Sequence, residues 1–227
     1  MRAILAFLFI FCALQTSCAP NPTVAGALAA TTPALVRVYG PGFSCSGWHS
    51  GSGIFITAAH CVVGEPLVWI EDRTGQTSIG VPVVINENVD VATVKSLKTT
   101  TLPSIPMFEA NRVPELGSEI ISLGFPSYYG LACMFEVGHV KDTYLLNDTK
   151  TILSRDLTYM GYSGGPVVDV RTKTVLGLAT SMSEIVKELP PLPDKTERHQ
   201  HLTLAQVVSI DEVRVVLAQT KDLLEKS

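Results

Sequence analysis

From Leu35 onwards the chain is written in short apolar runs, rich in Val, Ile and Thr and cut by Gly, Pro, Asn, Asp and Ser. Leu35–Tyr39, Gly53–Thr57, Leu67–Glu71 and Val81–Ile85 come first, followed by Val91–Lys95, Glu119–Leu123, Phe135–Val140 and Thr151–Ser154. Pro166–Val170, Val175–Thr180 and Leu202–Val208 complete the series. Branched side chains lose rotamer freedom in a helix but pack well on a pleated surface, so these runs predict strands of a barrel or sandwich. Two segments depart from the pattern. Glu184 to Gln200 contains Pro190-Pro191-Leu192-Pro193. Prolines lack the N–H that a central strand must donate, so a surface loop is expected here. Ile210 to Lys226 sets Val213, Val216, Leu217 and Leu224 at helical spacing, with Ser209 or Asp211 as N-cap. A single terminal helix laid on an all-β body is the expectation.

Upstream of this body the text changes. Arg2 is followed by an unbroken apolar run from Ala3 to Leu14. A helix of that length falls short of the roughly 30 Å of bilayer hydrocarbon, so residues 1–18 read as an export signal rather than an anchor. At its end, Leu14-Gln15-Thr16-Ser17-Cys18 resembles a bacterial lipobox, in which the cysteine is lipidated and tethers the protein to a membrane. Gln15 departs from that pattern, where an aliphatic residue is usual. Cleavage beside Ala19 is the alternative, with Pro20 following the cut. Asn21 to Pro33 is rich in Ala, Thr and Pro without sustained alternation. Residues 19–34 are therefore expected to form a flexible tether ahead of one domain at 35–227.

Charged residues make up only 17% of the chain, against a usual share of about 25%, and hydrophobic residues reach 46%. That balance suits a packed β-rich globule and excludes disorder. A net charge of −4 leaves no basic footprint for nucleic acid.

Three short motifs carry the chemistry: Thr57-Ala58-Ala59-His60-Cys61, Asp90-Val91-Ala92 and Gly161-Tyr162-Ser163-Gly164-Gly165-Pro166. A serine hydroxyl is a poor nucleophile near neutrality unless a base takes its proton during attack. A histidine can do this, since its ordinary pKa near 6.5 lets it accept and return a proton. An aspartate on the other ring nitrogen fixes the tautomer and stabilises the imidazolium. The glycines around Ser163 let the backbone turn sharply, so that the N–H groups of Gly161 and Ser163 can face one developing oxyanion. Each motif alone is weak. A lone histidine such as His49, His139, His199 or His201 is usually just a hydrogen-bonded or surface residue, and Gly-Gly-Pro often marks a turn. Together, in the order His, Asp, Ser, they are strong.

On these motifs, residues 35–217 resemble a trypsin-like (chymotrypsin-fold) serine peptidase. The resemblance implies two six-stranded antiparallel barrels with the site between them. It implies His60 as general base, Asp90 as its orienter, Ser163 as nucleophile, and Gly161 and Ser163 as oxyanion donors. Gly51-Ser52-Gly53-Ile54, and the compact spacing of the motifs, are similar to the short bacterial branch that includes HtrA-type proteases and glutamyl endopeptidases. The stretch after Ser163 can finish a barrel and a helix but cannot also hold a PDZ domain. Cys45 and Cys61 match the disulfide that braces the histidine loop in the digestive branch, which suits an oxidising compartment. Two buried free thiols are the alternative, and Cys133 is left over unless it pairs with Cys18. Tyr162 stands where digestive relatives keep the Asp that pairs with a liberated N-terminus, so activation by N-terminal cleavage is not expected.

Alignment on Ser163 puts the floor of the primary pocket at Leu157 and Thr158, with Thr180, Ser181 and Met182 along the other wall. A floor without a carboxylate offers no partner for a buried Lys or Arg, so small or medium apolar side chains are expected there. Thr180 is expected to bond Asp90. A loop at 184–200 could instead bring His199 or His201 to the pocket and favour acidic residues. The expected function is an exported serine endopeptidase acting on proteins or peptides, with no cofactor or metal. The rival is a catalytically inactive domain of the same fold that binds protein. An α/β-hydrolase esterase is excluded by the reversed triad order and the scarcity of helices. His199 and His201 lack companions at metal-ligand spacing.

Overall fold

The computed structural model describes residues 22–107, 109–110, 112–126, 133–146, 149–155, 161–189 and 198–226. The signal, Cys18, Leu157 and Thr158 lie outside the described residues.

Two closed antiparallel barrels make up the body. The first holds β1 (Leu35–Gly40), β2 (Phe43–Gly51), β3 (Ile54–Thr57), β4 (Val68–Asp72), β5 (Thr77–Asn86) and β6 (Val91–Ser96), in the order β1-β2-β3-β6-β5-β4. The second holds β7 (Glu119–Gly124), β8 (Met134–Leu146), β9 (Thr149–Arg155), β10 (Pro166–Asp169), β11 (Thr174–Leu189) and β12 (Arg198–Ser209), in the order β10-β11-β12-β9-β8-β7. The expected fold class is therefore the one observed. Leu35, Val38, Trp48, Phe55 and Ile56 are buried on the strands of the first barrel, and Ile120, Leu123, Val167, Leu176 and Leu178 on those of the second. Within each closed ring every strand has a neighbour on both sides, which limits the free edge that short strands of this composition would offer to other chains.

The runs read from the sequence all become strands, and β2 is added to them. Its text, Phe43-Ser44-Cys45-Ser46-Gly47-Trp48-His49-Ser50-Gly51, carries too many turn-type residues to announce a strand. Its neighbours decide the matter: β2 pairs with β1 from Leu35↔Trp48 to Gly40↔Phe43, and with β3 at Trp48↔Ile56.

Two expectations are corrected. The stretch Asn21 to Pro33 is not a flexible tether over its described part. Pro22–Thr31 forms a helix, α1, and Thr32–Ala34 a 3-10 turn. Val24 and Ala27 enter the core, and Thr31 Oγ1 donates to Ala27 O at 2.8 Å. Alanines cost nothing in helix propensity and proline is tolerated at a helix start, so burial of two side chains suffices. The segment 184–200 is not simply a loop either. β11 and β12 continue as a hairpin ladder from Glu184↔Thr203 to Leu189↔Arg198. The prolines at 190, 191 and 193 lie outside the described residues.

The terminal helix, α2 (Ile210–Glu225), buries Ile210, Val213, Val216 and Thr220. Ser209 takes the N-cap position with extended backbone, but its side chain makes no capping bond. Leu224, expected on the apolar face, is 38% exposed. Thr220 Oγ1 meets Thr93 Oγ1 at 2.7 Å in a buried hydrogen bond, which ties the last turns of the chain to β6 of the first barrel.

Candidate active site

β3 and β6 are neighbours in the first barrel, with Thr57 opposite Ala92. His60 follows Thr57 by three positions and Asp90 precedes Ala92 by two, so strand register alone brings them to the same end of the ladder. His60 sits in a 3-10 turn, Ala59–Cys61, whose flanking Ala58, Ala59 and Cys61 are buried. Cys61 is bonded to Cys45 of β2, with the Cα atoms 6.3 Å apart. The expected bridge is thus present, and it ties the histidine turn to β2.

Asp90 adopts φ +54, a left-handed conformation that short polar residues tolerate better than most. Its Oδ1 accepts from the His60 backbone N–H at 2.9 Å, and Oδ1 and Oδ2 lie 3.0 and 2.8 Å from His60 Nδ1. An ionised carboxylate can only accept, so Nδ1 carries the proton and Nε2 is left as the lone-pair nitrogen of the neutral ring. The imidazole pKa is raised above its ordinary 6.5. Its hydrogen bond to Asp90 raises it most, partial burial pulls it down, and the carboxylate charge adds a further rise. The side chains are 50% and 28% exposed, respectively, so the pair is open to a reactant.

Ser163 lies in the tight turn that leads into β10, with Gly161 at φ +99 and Gly164 at φ +84. Gly164 N–H donates to Ala179 O at 2.7 Å, Gly165 N–H to Tyr162 O at 2.7 Å, and Ala179 N–H to Gly165 O at 2.9 Å. A Cβ on Gly164 would lie 2.3 Å from Ser46 O, 2.4 Å from Thr57 Oγ1 and 2.7 Å from Ala58 N. That crowding places the serine turn directly against the strand end that carries His60. It also explains why glycine is needed there, beyond its positive φ.

Ser46 of β2 supplies much of this contact. It is fully buried. Its N–H donates to Ser163 O at 2.8 Å, and its Oγ donates to Gly161 O at 2.6 Å while accepting from Phe125 N–H at 2.9 Å. Thr57 Oγ1 donates to Ser46 O at 2.7 Å. Nothing in the sequence singled out Ser46, because a serine in a Gly- and Ser-rich run reads as a turn residue.

Ser163 Oγ donates to Thr180 O at 3.2 Å. Thr180 Oγ1 in turn donates to Gln206 O at 3.2 Å, so the expected bond from Thr180 to Asp90 is corrected. A bulge between Ala179 and Ser181 turns the Thr180 hydroxyl towards β12, inside its own barrel. Ser181 Oγ, assigned with Thr180 and Met182 to a pocket wall by the resemblance, donates to Gln206 Oε1 at 2.9 Å. Met182 pairs through its backbone with Ala205. His199 and His201 pair with Glu188 and Val186, farther along the hairpin. Cys45, His60 and Cys61 offer ligand atoms within 4.8 Å of one another, but the two sulfurs are joined in the disulfide and provide no thiolate for a metal. Burial pushes the Cys133 thiol up to about 11, with Arg73 partly opposing it, so it is not a ready nucleophile.

Residues 45–178, more than half of the chain, match the model of the trypsin-like peptidase domain. The chain belongs to that family. Among solved structures, this trypsin-like peptidase domain is similar to the serine endoprotease from Yersinia pestis, with a TM-score of 0.70 and 20% identity. That match covers 88% of this chain and 67% of the other. It is also similar to the Rv3671c protease in its inactive form, with a TM-score of 0.66 and 20% identity, covering 88% of this chain and 96% of that one. At such identity the likeness speaks to the fold. Comparison with curated proteins gave no match.

Proposed function

We propose that the trypsin-like peptidase domain is an exported serine endopeptidase, in which Ser163 attacks the scissile carbonyl and forms an acyl-enzyme. The observation that carries this reading is the hydrogen-bonded His60–Asp90 pair on one barrel, just beyond Thr57 and Ala58, the residues against which the Ser163 turn of the other barrel packs. In the proposed reaction His60 Nε2 takes the Ser163 proton during attack and returns it to the leaving amine, while Asp90 stabilises the imidazolium. The N–H groups of Gly161 and Ser163 are the assigned oxyanion donors. Loss of one such donor typically costs about 2.7–4 kcal/mol of transition-state stabilisation.

One observation favours the rival reading of an inactive binding domain: Ser163 Oγ bonds Thr180 O. The proposed mechanism requires the serine hydroxyl to leave that acceptor for His60 Nε2, and catalytic bonds are often unformed before substrate arrives. Export, and anchoring through lipidated Cys18 or release beside Ala19, rest on the apolar run at residues 3–14 and its polar end. Tyr162 is buried with its ring against Gly124, and it stands at the chain position where digestive relatives keep the Asp that pairs with a liberated N-terminus. The proposal therefore includes activity without N-terminal processing. With Leu157 and Thr158 assigned to the floor and Ser181, Met182 and Gln206 to the wall, small or medium apolar residues are proposed before the scissile bond.

Two assays test this. A fluorophosphonate probe should label the parent chain and leave Ser163→Ala unlabelled; an unlabelled parent would establish the binding-domain reading. Matched peptides with Val, Glu or Arg before the scissile bond should be cleaved in favour of Val. Dominant Arg cleavage would defeat the pocket assignment, and dominant Glu cleavage would bring His199 and His201 back into it.

A further inference from the structure

We propose that Ser46, through its hydroxyl, is a positioning residue for the oxyanion-binding turn, an inference that rests on the catalytic reading above. The hydroxyl sits between three segments that have no covalent reason to keep a common register. It belongs to β2 of the first barrel, donates to Gly161 O, and accepts from Phe125 N–H at the exit of β7. Ser46 and Gly161 are 115 positions apart in the chain. The same residue uses its backbone N–H to hold Ser163 O at 2.8 Å. One residue thus fixes the carbonyls of both Gly161 and Ser163, the two residues whose N–H groups are assigned to the oxyanion.

The peptide plane makes this consequential. A carbonyl and the N–H that follows it point in opposite directions, so pinning Gly161 O and Ser163 O sets the planes on both sides of the Tyr162–Ser163 link. The Gly161 carbonyl is itself negative at its oxygen. Held by Ser46, it faces the buried seam. Released, it can swing towards the space in which a negative oxygen must develop, where it would repel the transition state and not the bound substrate. Glycine at φ +99 has little of its own to resist that swing. The strand, by contrast, does not need the hydroxyl: the ladder bonds of β2 to β1 and β3 are made by backbone.

Loss of the hydroxyl should therefore lower kcat and spare KM. For Ser46→Ala, kcat is expected to fall roughly 10- to 100-fold, the scale of a misplaced catalytic group, with KM changed less than about threefold. Affinity for a peptidyl boronate, whose adduct mimics the tetrahedral state, should fall in parallel. A purely structural role would not move that ratio, and Thr220→Val supplies the comparison. It removes a buried hydroxyl bond of the same kind at a distant place, and should lower the melting temperature while leaving kcat and boronate affinity unchanged. Should Ser46→Ala fail to fold, Ser46→Cys keeps a weak donor and acceptor in the same place, and an intermediate kcat from it would sustain the proposal. Folded Ser46→Ala or Ser46→Cys protein with parental kcat and boronate affinity would overturn the role of Ser46 alone. A parent chain that neither cleaves peptides nor takes up the fluorophosphonate would overturn the catalytic reading, and this inference with it.

Discussion

The two halves of the site are built on different terms. The proposed base and its orienting carboxylate come from one barrel: His60 and Asp90 stand at the end of a single β3–β6 ladder, and a disulfide to β2 braces the histidine turn. The Ser163 turn belongs to the second barrel but is completed by the first. Its own barrel provides the bonds to Ala179, whereas Ser46 provides those to Ser163 O and Gly161 O. The lesson is that His60, the proposed base, is positioned by local register, and the turn of Ser163, the proposed nucleophile, by docking of two barrels. A change within the first barrel should weaken its own brace, and a change at the seam should act on the chemistry.

The largest test removes the reacting groups. His60→Ala and Ser163→Ala should each lower kcat/KM by roughly 10³-fold or more, and the double variant should be little worse than either, because they act as a unit. His139→Ala on β8 serves as the comparison and should retain activity. Full hydrolysis by Ser163→Ala would end the mechanism proposed for this chain.

Gly164→Ala tests the seam. Its Cβ would meet Ser46 O at 2.3 Å and Ala58 N at 2.7 Å, both backbone atoms that cannot simply rotate away, on a residue at φ +84. A destabilisation of at least about 2 kcal/mol is expected from the combined overpacking and left-handed backbone. Activity in the surviving folded fraction should fall as well, and a crystal structure showing an undisturbed turn would contradict the tight docking described above.

Cys45→Ser acts within the first barrel. Loss of a native bridge typically costs about 2–5 kcal/mol, read as a lower denaturation midpoint. If docking rather than the brace fixes the nucleophile, fluorophosphonate labelling of the folded variant should slow only modestly. Mass mapping that finds both thiols free in exported protein would count against the bridge.

The smallest effect is a titration. Asp90 raises the His60 pKa, so the neutral base form accumulates only above the ordinary value near 6.5, and the rising limb of kcat/KM should lie on that alkaline side. Asp90→Asn should move the His60 titration, followed by ring-proton NMR, towards lower pH. The linked stability has a definite sign. A folded-state pKa above the unfolded value gives a contribution fully present below about pH 6.5 and lost as pH rises through the folded pKa. With half the ring exposed, solvent screening keeps that contribution small.

Strand periodicity, the motif order and the terminal helix were readable because they are written in contiguous residues. The apolar runs give alternating or fully buried strands wherever they fold, and Val213 and Val216 face the core as their spacing requires. Where local text was weak, packing overruled it. β2 is a strand because β1 and β3 flank it, and α1 is helical because Val24 and Ala27 find a place in the core. The ladder from Glu184 to Leu189 forms because a partner strand lies opposite, which a proline count in the intervening segment cannot reveal.

By itself, then, the sequence determined that this chain would close β-barrels and carry a histidine, an aspartate and a serine in peptidase order. Only the tertiary structure decided that Ser46 would hold the serine turn, that the Thr180 hydroxyl would face Gln206 and not Asp90, and that Ser181 would bond Gln206. The physical reason is the reach of each signal. Propensity and motif spacing act over a few neighbouring residues, whereas a buried hydrogen bond is satisfied by whichever group the closed barrels bring within about 3 Å, however distant in the chain.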